Sequence, residues 1–271
     1  MKISFVVGTE LAGQSIKQYF EKEGLSTTEI KRFKYDGRIL ANGQSVTVRY
    51  TMQPGDKMEF ATNERLQTPA FAQTPASLLY VDNYLYVAYK PYGVAIHPDL
   101  AHHTETFGNM LATTFGEGFA LHIVTRLDKT TDGLVLGALD EITAQKLNDM
   151  QYHHKIQKTY VATVEGHLCG SGTIDLPLLR QGNKTIVDQS GKEAKSFYTA
   201  VEHNDNTTVV QLTLGTGRTH QLRAHLSAIG HPIVGDKLYG STTAGNIELH
   251  CVKLAFAHPH TGEQIVVHLT K

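Results

Sequence analysis

Between the apolar segments 121–124 and 134–139 runs a polar loop, Thr125-Arg126-Leu127-Asp128-Lys129-Thr130-Thr131-Asp132-Gly133. Loops held between rigid strands are common places for reactive side chains. Asp128 and Asp132 supply carboxylates, which can serve as nucleophiles or as general acids and bases. Two carboxylates flanking a bond are also the apparatus of a glycoside hydrolase. Four residues apart on a turn, however, these two need not face one cavity. An aspartate in such a loop, taken alone, is more often a turn residue. Farther along, Gly215-Thr216-Gly217-Arg218-Thr219-His220-Gln221-Leu222-Arg223 brings two arginines and a histidine to the start of an amphipathic helix.

Other chemistries find less support. The 15 histidines include the adjacent pairs His102-His103 and His153-His154, which lack the i, i+4 spacing that aims two imidazoles at one ion from a helix. Cys169 and Cys251 stand far apart without a CxxC partner, so neither a disulfide framework nor a thiolate metal site is expected. The 271 residues carry 25 Lys plus Arg against 26 Asp plus Glu, a net charge of -1. A nucleic-acid partner would therefore be met by local basic patches rather than by a global field. With 41% hydrophobic and 19% charged residues and no long apolar run, the composition is that of a soluble globular chain. Residues 1–8 lack a cleavage pattern, so the expectation is a cytoplasmic protein; it is also expected to be a monomer.

The elements that must position the loop fall into two groups. Residues 10–23 read as an amphipathic helix, Ser26-Thr27-Thr28-Glu29 as a capping box opening a second helix, and Asn42-Gly43 as a hairpin turn before Val46-Thr47-Val48. Gln53-Pro54-Gly55-Asp56 makes a further turn before Met58-Glu59-Phe60. We therefore expect a small domain over 1–63. Two Thr-Pro steps mark a linker over 64–77, and a larger strand-rich domain follows over 78–271. Strands are expected around 78–80, 85–88, 134–136, 160–164, 208–212 and 265–267. Asp140 caps one helix, and Leu222, Leu226 and Ile229 mark another that Gly230 ends.

Arg126-Leu127-Asp128 resembles the Arg-Leu-Asp motif of the RluA family of RNA pseudouridine synthases. Further motifs follow in that family's order: Lys90-Pro91-Tyr92-Gly93, then Lys158-Thr159-Tyr160, then Gly215–Arg223 continuing through Gly230–Gly240. Leu249-His250, the segment 254–259 and Thr261-Gly262-Glu263 close the likeness, which begins near residue 78. The first 60 residues resemble an S4-like RNA-binding domain, with Lys31, Arg32, Lys34 and Arg38 on its RNA-facing elements. A solvated helix face explains the same four charges.

The resemblance implies an α+β fold: a mixed, largely antiparallel sheet with flanking helices, plus the small S4-like domain. It also implies an isomerase, an intramolecular transferase that breaks the N-glycosidic bond of a uridine in RNA and rejoins the base through carbon. Asp128 is then the catalytic carboxylate, Tyr160 the active-site tyrosine, and Arg218 the active-site arginine expected to pair with Asp128. Arg126 matches a residue proposed to fill the gap left by the extruded base. Arg223, with His225 and Lys237, is expected to contact phosphates. Lys90, Tyr92 and His220 are expected to be structural. The partner is RNA, with ribosomal RNA favoured over transfer RNA by the S4-like domain. No metal, nucleotide or redox cofactor is implied, because isomerisation has no net redox change. Two departures stand out. Thr125 replaces the family's histidine, and Asp132 replaces a serine or threonine. A catalytically silent RNA-binding protein on the same fold is the alternative, which the joint presence of Asp128, Tyr160 and Arg218 disfavours.

Overall fold

A computed structural model describes residues 2–25, 30, 33, 37–62, 70–97 and 105–269. Lys31, Arg32, Lys34 and the expected capping box at 26–29 lie outside the described residues, as does the side chain of Arg38.

The N-terminal elements are β1 (Lys2–Val6), α1 (Ile16–Lys22), β2 (Gly37–Ala41), β3 (Gln44–Ser45) and β4 (Lys57–Thr62), the strands ordered β1-β4-β2-β3. Asn42 and Gly43 both take positive φ, 52° and 80°, as a two-residue hairpin of the type I′ class requires. Helix α1 is shorter than expected. Gly13 turns at φ 80°, and Ser15 restarts the chain with a reciprocal capping box to Gln18. The return strand is displaced too: pairing covers Gln44–Ser45, and 46–48 leave the ladder after Val46 N–H donates to Ile39 O at 2.9 Å. Phe20 meets Phe33 and Phe60 at ring-centroid distances of 4.6 and 4.9 Å. These rings centre a core of their own, which Ile142 joins from the other part of the chain.

The larger sheet has ten strands. Along its main path lie β10 (Ser171–Asp175), β13 (Lys195–Asn204), β14 (Thr207–Leu214), β9 (Gln157–Glu165), β15 (Leu249–Ala257), β8 (Asp132–Ala138), β6 (Leu85–Lys90) and β5 (Ser77–Val81). β16 (Gln264–His268) pairs with β15, and β7 (His122–Ile123) with β8. Every pairing is antiparallel except β15 with β8, a short parallel contact of His250 with Asp132 and Cys251 with Gly133. β8 is buried along its whole length, as its continuous apolar run requires. Val87, Leu134, Val135 and Leu136 are fully buried, each worth about 1.5–3 kcal/mol.

Helices α2 (Phe107–Phe115), α3 (Glu141–Tyr152) and α4 (Gln221–Ala228) flank the sheet, and β11 (Leu178–Gln181) pairs with β12 (Lys184–Val187) as a separate hairpin. Asp140 caps α3 as expected, its side chain accepting from Thr143 N–H. α2 was not anticipated; Thr106 and Asn109 cap it reciprocally. Thr113 and Thr114 hydroxyls accept from the N–H groups of Ala72 and Ala76 at 2.9 and 2.7 Å, so residues 70–76 lie along this helix. Among the described residues no helix is long and apolar enough to cross a membrane, and no cluster of three or more His, Cys, Asp or Glu could hold a metal ion.

Candidate active site

A cleft of about 540 Å³ opens where the 125–132 loop faces the start of α4. Asp128, Tyr160, Arg218, Arg126 and Arg223 all line it. The apolar part of its wall is Ile96, Val124, Leu127, Leu214, Leu222 and Leu249.

The loop is fixed from several sides. Thr125, where the family has histidine, is buried, and its hydroxyl accepts the Leu136 N–H at 2.9 Å. A backbone turn closes from Thr131 N–H to Asp128 O at 3.1 Å. Lys90 is fully buried, and its Nζ donates to the carbonyls of Pro91, Val94 and Lys129. Burial pulls Lys90 down to about 8, yet three carbonyl acceptors match the three N–H bonds of an ammonium, so it is charged at neutral pH. The Lys-Pro-Tyr-Gly turn is thus tied to the residue after Asp128, also through Gly93 N–H to Lys129 O at 2.9 Å. Asp132 turns away from the cleft. Its carboxylate accepts from the Tyr89 hydroxyl at 2.7 Å and pairs with His250 Nδ1, joining β6, β8 and β15. The second carboxylate that a hydrolase would need is therefore engaged elsewhere.

The cation facing Asp128 differs from the one expected. Arg218 is exposed, and its Nε donates to the Glu193 carbonyl at 3.0 Å. Asp128 Oδ2 instead lies 3.9 Å from Arg223 Nη1 and 3.8 Å from His220 Nε2. The reason is geometric. Arg218 precedes α4 in a turn, whereas Arg223 sits in the first turn of the helix, where side chains lean toward the N-terminus and hence into the cleft. Arg223 is also not the free phosphate contact expected of it. It is 5% exposed, with Nε and Nη2 bound to Asp236 at 2.6 and 2.8 Å and its guanidinium 4.9 Å from the centre of the Tyr239 ring.

His225 and Lys237 are likewise engaged. His225 is buried between Ser196 Oγ and the Leu176 carbonyl, both at 2.9 Å, and Lys237 Nζ donates to Thr242 O. His220, expected to be structural, faces the carboxylate at the left-handed N-cap of α4, φ 53°. Burial, with Arg223 and Arg180 nearby, lowers its pKa against the pull of Asp128. Thr185 N–H donates to the Tyr239 hydroxyl oxygen at 2.9 Å, and that hydroxyl lies 3.1 Å from His220 Nδ1.

Tyr160 is buried in β9 opposite Cys251 of β15, and burial first, then Cys251 and Asp128, hold its pKa well above the usual phenol value. It is a neutral phenol in the cleft wall. Arg126 is exposed at the rim, close enough to His97 to help burial depress that histidine's pKa.

A half-buried carboxylate opposite a permanently charged guanidinium, in a cleft walled by apolar groups and one tyrosine, can act as a nucleophile. Known proteins bear on which substrate. A family model described as RNA pseudouridylate synthase matches residues 84–228. A Bacillus subtilis (strain 168) protein named as the uncharacterized RNA pseudouridine synthase YjbO is 33% identical over 94% of this chain and 94% of its own. Ribosomal large subunit pseudouridine synthase D of Zymomonas mobilis is 30% identical over 89% of this chain and 84% of its own. Among solved structures, human RNA pseudouridylate synthase domain containing 1 superposes with a TM-score of 0.62 at 27% identity, covering 72% of this chain and 83% of that one. The chain belongs to the RluA family of RNA pseudouridine synthases and is an isomerase acting on RNA.

Proposed function

We propose that this enzyme isomerises one or more uridines of structured RNA, ribosomal RNA above transfer RNA, with Asp128 as catalytic carboxylate. The observation that carries the reading is the carboxylate's placement opposite Arg223, a cation that Asp236 holds in position. Relatives named as ribosomal large subunit enzymes support the choice of RNA. The target nucleotide is extruded from its stack at a cost of about a few kcal/mol, and Arg126 at the rim occupies the gap. Asp128 attacks the ribose carbon C1′ of the extruded nucleotide as the glycosidic bond to N1 breaks; the base turns, its carbon 5 bonds to C1′ as the carboxylate is released, and the proton lost from carbon 5 is balanced by one gained at N1. Arg223 stabilises negative charge at Asp128 throughout, and the neutral Tyr160 provides a surface for the ring. Arg218 serves the rim and the RNA strand.

Residues 1–63 act as an S4-like RNA-binding domain with Lys31, Arg32, Lys34 and Arg38 toward phosphates, and residues 78–271 carry the chemistry. The enzyme works in the cytoplasm as a monomer, and its redox-neutral reaction calls for no cofactor. Mapping pseudouridines in total RNA from cells lacking the gene, complemented with wild type or Asp128→Asn, tests the reading. Specific sites should return with wild type alone, while purified Asp128→Asn should bind RNA within a few-fold of wild type. Restoration by Asp128→Asn would overturn the assignment.

A further inference from the structure

Lys158 stands two residues before Tyr160 on β9, so both side chains leave the same face of the strand, and both residues line the catalytic cleft. Burial lowers the Lys158 ammonium below the usual lysine pKa. Among the described residues no carboxylate lies near enough to answer that charge. The titratable neighbour that acts on it is Cys251, which burial pushes up to about 12, so the thiol stays uncharged at pH 7. Lys158 Nζ has no hydrogen-bond acceptor among the described residues, yet it is not closed off from solvent, and the space the residue lines is the cleft. A charge held in a protein without a partner is destabilising, so at a cleft wall it points to a partner that arrives there. Arg223, by contrast, is committed to Asp236 and faces Asp128.

An ammonium only donates, so its partner must be an acceptor, best an anionic one. The proposed reaction creates such an acceptor and moves it. While Asp128 is bonded to C1′ the carboxylate is an uncharged ester, and the electron pair of the broken C1′–N1 bond resides on the base, spread over N1, O2 and O4. When carbon 5 bonds to C1′, the charge returns to the released carboxylate. A cation fixed opposite Asp128 serves the first and last of these states, whereas the intermediate needs one beside the base. A ring lying on Tyr160 turns an edge toward Lys158, because side chains two apart on a strand are spaced by about 6.6 Å, comparable with the width of a pyrimidine.

We infer that Lys158 is a further catalytic residue, whose ammonium donates to a carbonyl oxygen of the departing uracil and holds that anion until carbon 5 attacks. This rests on the reading of the cleft as the place where a uridine is isomerised. Lys158 neither gains nor loses a proton in the step. The anionic base in turn favours the charged form of the amine, against the burial that disfavours it in the free enzyme. A donor aimed at the place where charge develops is among the larger single contributions to an enzymatic rate.

The test compares wild type with Lys158→Met, which keeps an unbranched side chain and removes the charge. Single-turnover rates are measured on two synthetic stem-loops carrying uridine or 4-thiouridine at the mapped position, with RNA affinity across a range of salt and thermal midpoints alongside. 4-Thiouridine keeps its C5–H, and its sulfur carries negative charge better than oxygen, so its base leaves with less help. Lys158→Met should slow the uridine RNA by about a hundredfold or more, as loss of one donor to developing charge does, and slow the 4-thiouridine RNA much less. Its thermal midpoint should match or exceed that of wild type, because an unpaired charge has been removed. Equal losses on the two RNAs would overturn the inference, as expected if Lys158 instead took the proton from carbon 5. A thermal midpoint well below wild type would make the lysine structural, and a salt dependence shallower by about 0.9 would make it a phosphate contact; either result also overturns it. Failure of wild type to form pseudouridine on the uridine stem-loop would instead overturn the underlying reading.

Discussion

Arg223 and Asp236 form a two-pronged ion pair with both partners buried, Nε to Oδ2 at 2.6 Å and Nη2 to Oδ1 at 2.8 Å. With two nitrogens committed, Nη1 remains to face Asp128. The pair converts a flexible side chain into a fixed positive charge, and the planar fork of arginine is what permits one residue to serve both carboxylates.

Removing Asp236 should therefore harm stability and chemistry together. Asp236→Ala strands a buried guanidinium, so a loss of about 3–5 kcal/mol in urea denaturation is expected. Arg223→Lys keeps the charge but loses the fork. It should cost less stability yet slow the single-turnover rate by at least about tenfold, since an ammonium cannot hold both carboxylates. A wild-type rate in Arg223→Lys would show that the second carboxylate interaction is dispensable.

Arg126 and Arg218 both reach the cleft rim but should act differently. Arg126→Ala is expected to slow a stacked or paired target much more than one already splayed in a loop, by up to about the few kcal/mol that extrusion costs. Arg218→Ala should weaken both RNAs alike, as removal of a group that holds the strand does. Rates for each variant on a paired and an unpaired target decide the matter, and equal losses for Arg126→Ala would remove its gap-filling role.

Acid should loosen the anchoring of α4. His225 is fully buried, its pKa lowered first by burial, with both ring nitrogens bonded to Ser196 Oγ and Leu176 O. A histidine whose folded pKa lies below 6.5 binds fewer protons folded than unfolded, so stability falls as pH drops below about 6.5. Thermal midpoints measured from pH 7.5 to 5 should decline, and His225→Gln should flatten part of that decline. An identical slope in the variant would place the titration elsewhere, with His97, His220 and His260 the other histidines of lowered pKa among the described residues.

Deleting residues 1–63 should raise the RNA concentration needed for half-maximal rate and make the logarithmic salt dependence shallower by about 0.9 for each phosphate no longer neutralised. Because Ile142 packs in the core of the deleted part, the truncated protein needs Ile142→Thr to keep that surface from associating. An unchanged salt slope would show that these residues do not touch RNA.

Much of this was legible in the chain. The strand segments that hold the site, the Asp140 cap and the loop bearing Asp128 all follow from periodicity, capping and motif order. The identity of the facing arginine did not. Arg218 and Arg223 belong to one motif, and the direction of each side chain depends on where α4 starts, a boundary that sequence reads poorly. Helix α2 escaped because Gly108, Thr113 and Thr114 weaken its propensity, while the hydrogen bonds that fix it come from residues 70–76. Helix α1 was overrun because apolar spacing continues through Gly13, whose backbone has already turned.

The position of β15 has a consequence in time. It lies between β9 and β8 in the sheet, yet both neighbours are synthesised long before it. Asp128 belongs to the half of the sheet holding β8, β6 and β5, while Tyr160 and Arg223 belong to the half holding β9, β14 and β13. During translation the two halves emerge as separate pieces with no strand between them. Residues 249–257 join the two halves and with them Asp128 and Arg223, and Gly133 is what allows the seam to close, because a Cβ there would strike the Cys251 backbone. A chain truncated before residue 249 should thus expose both half-sites and catalyse nothing.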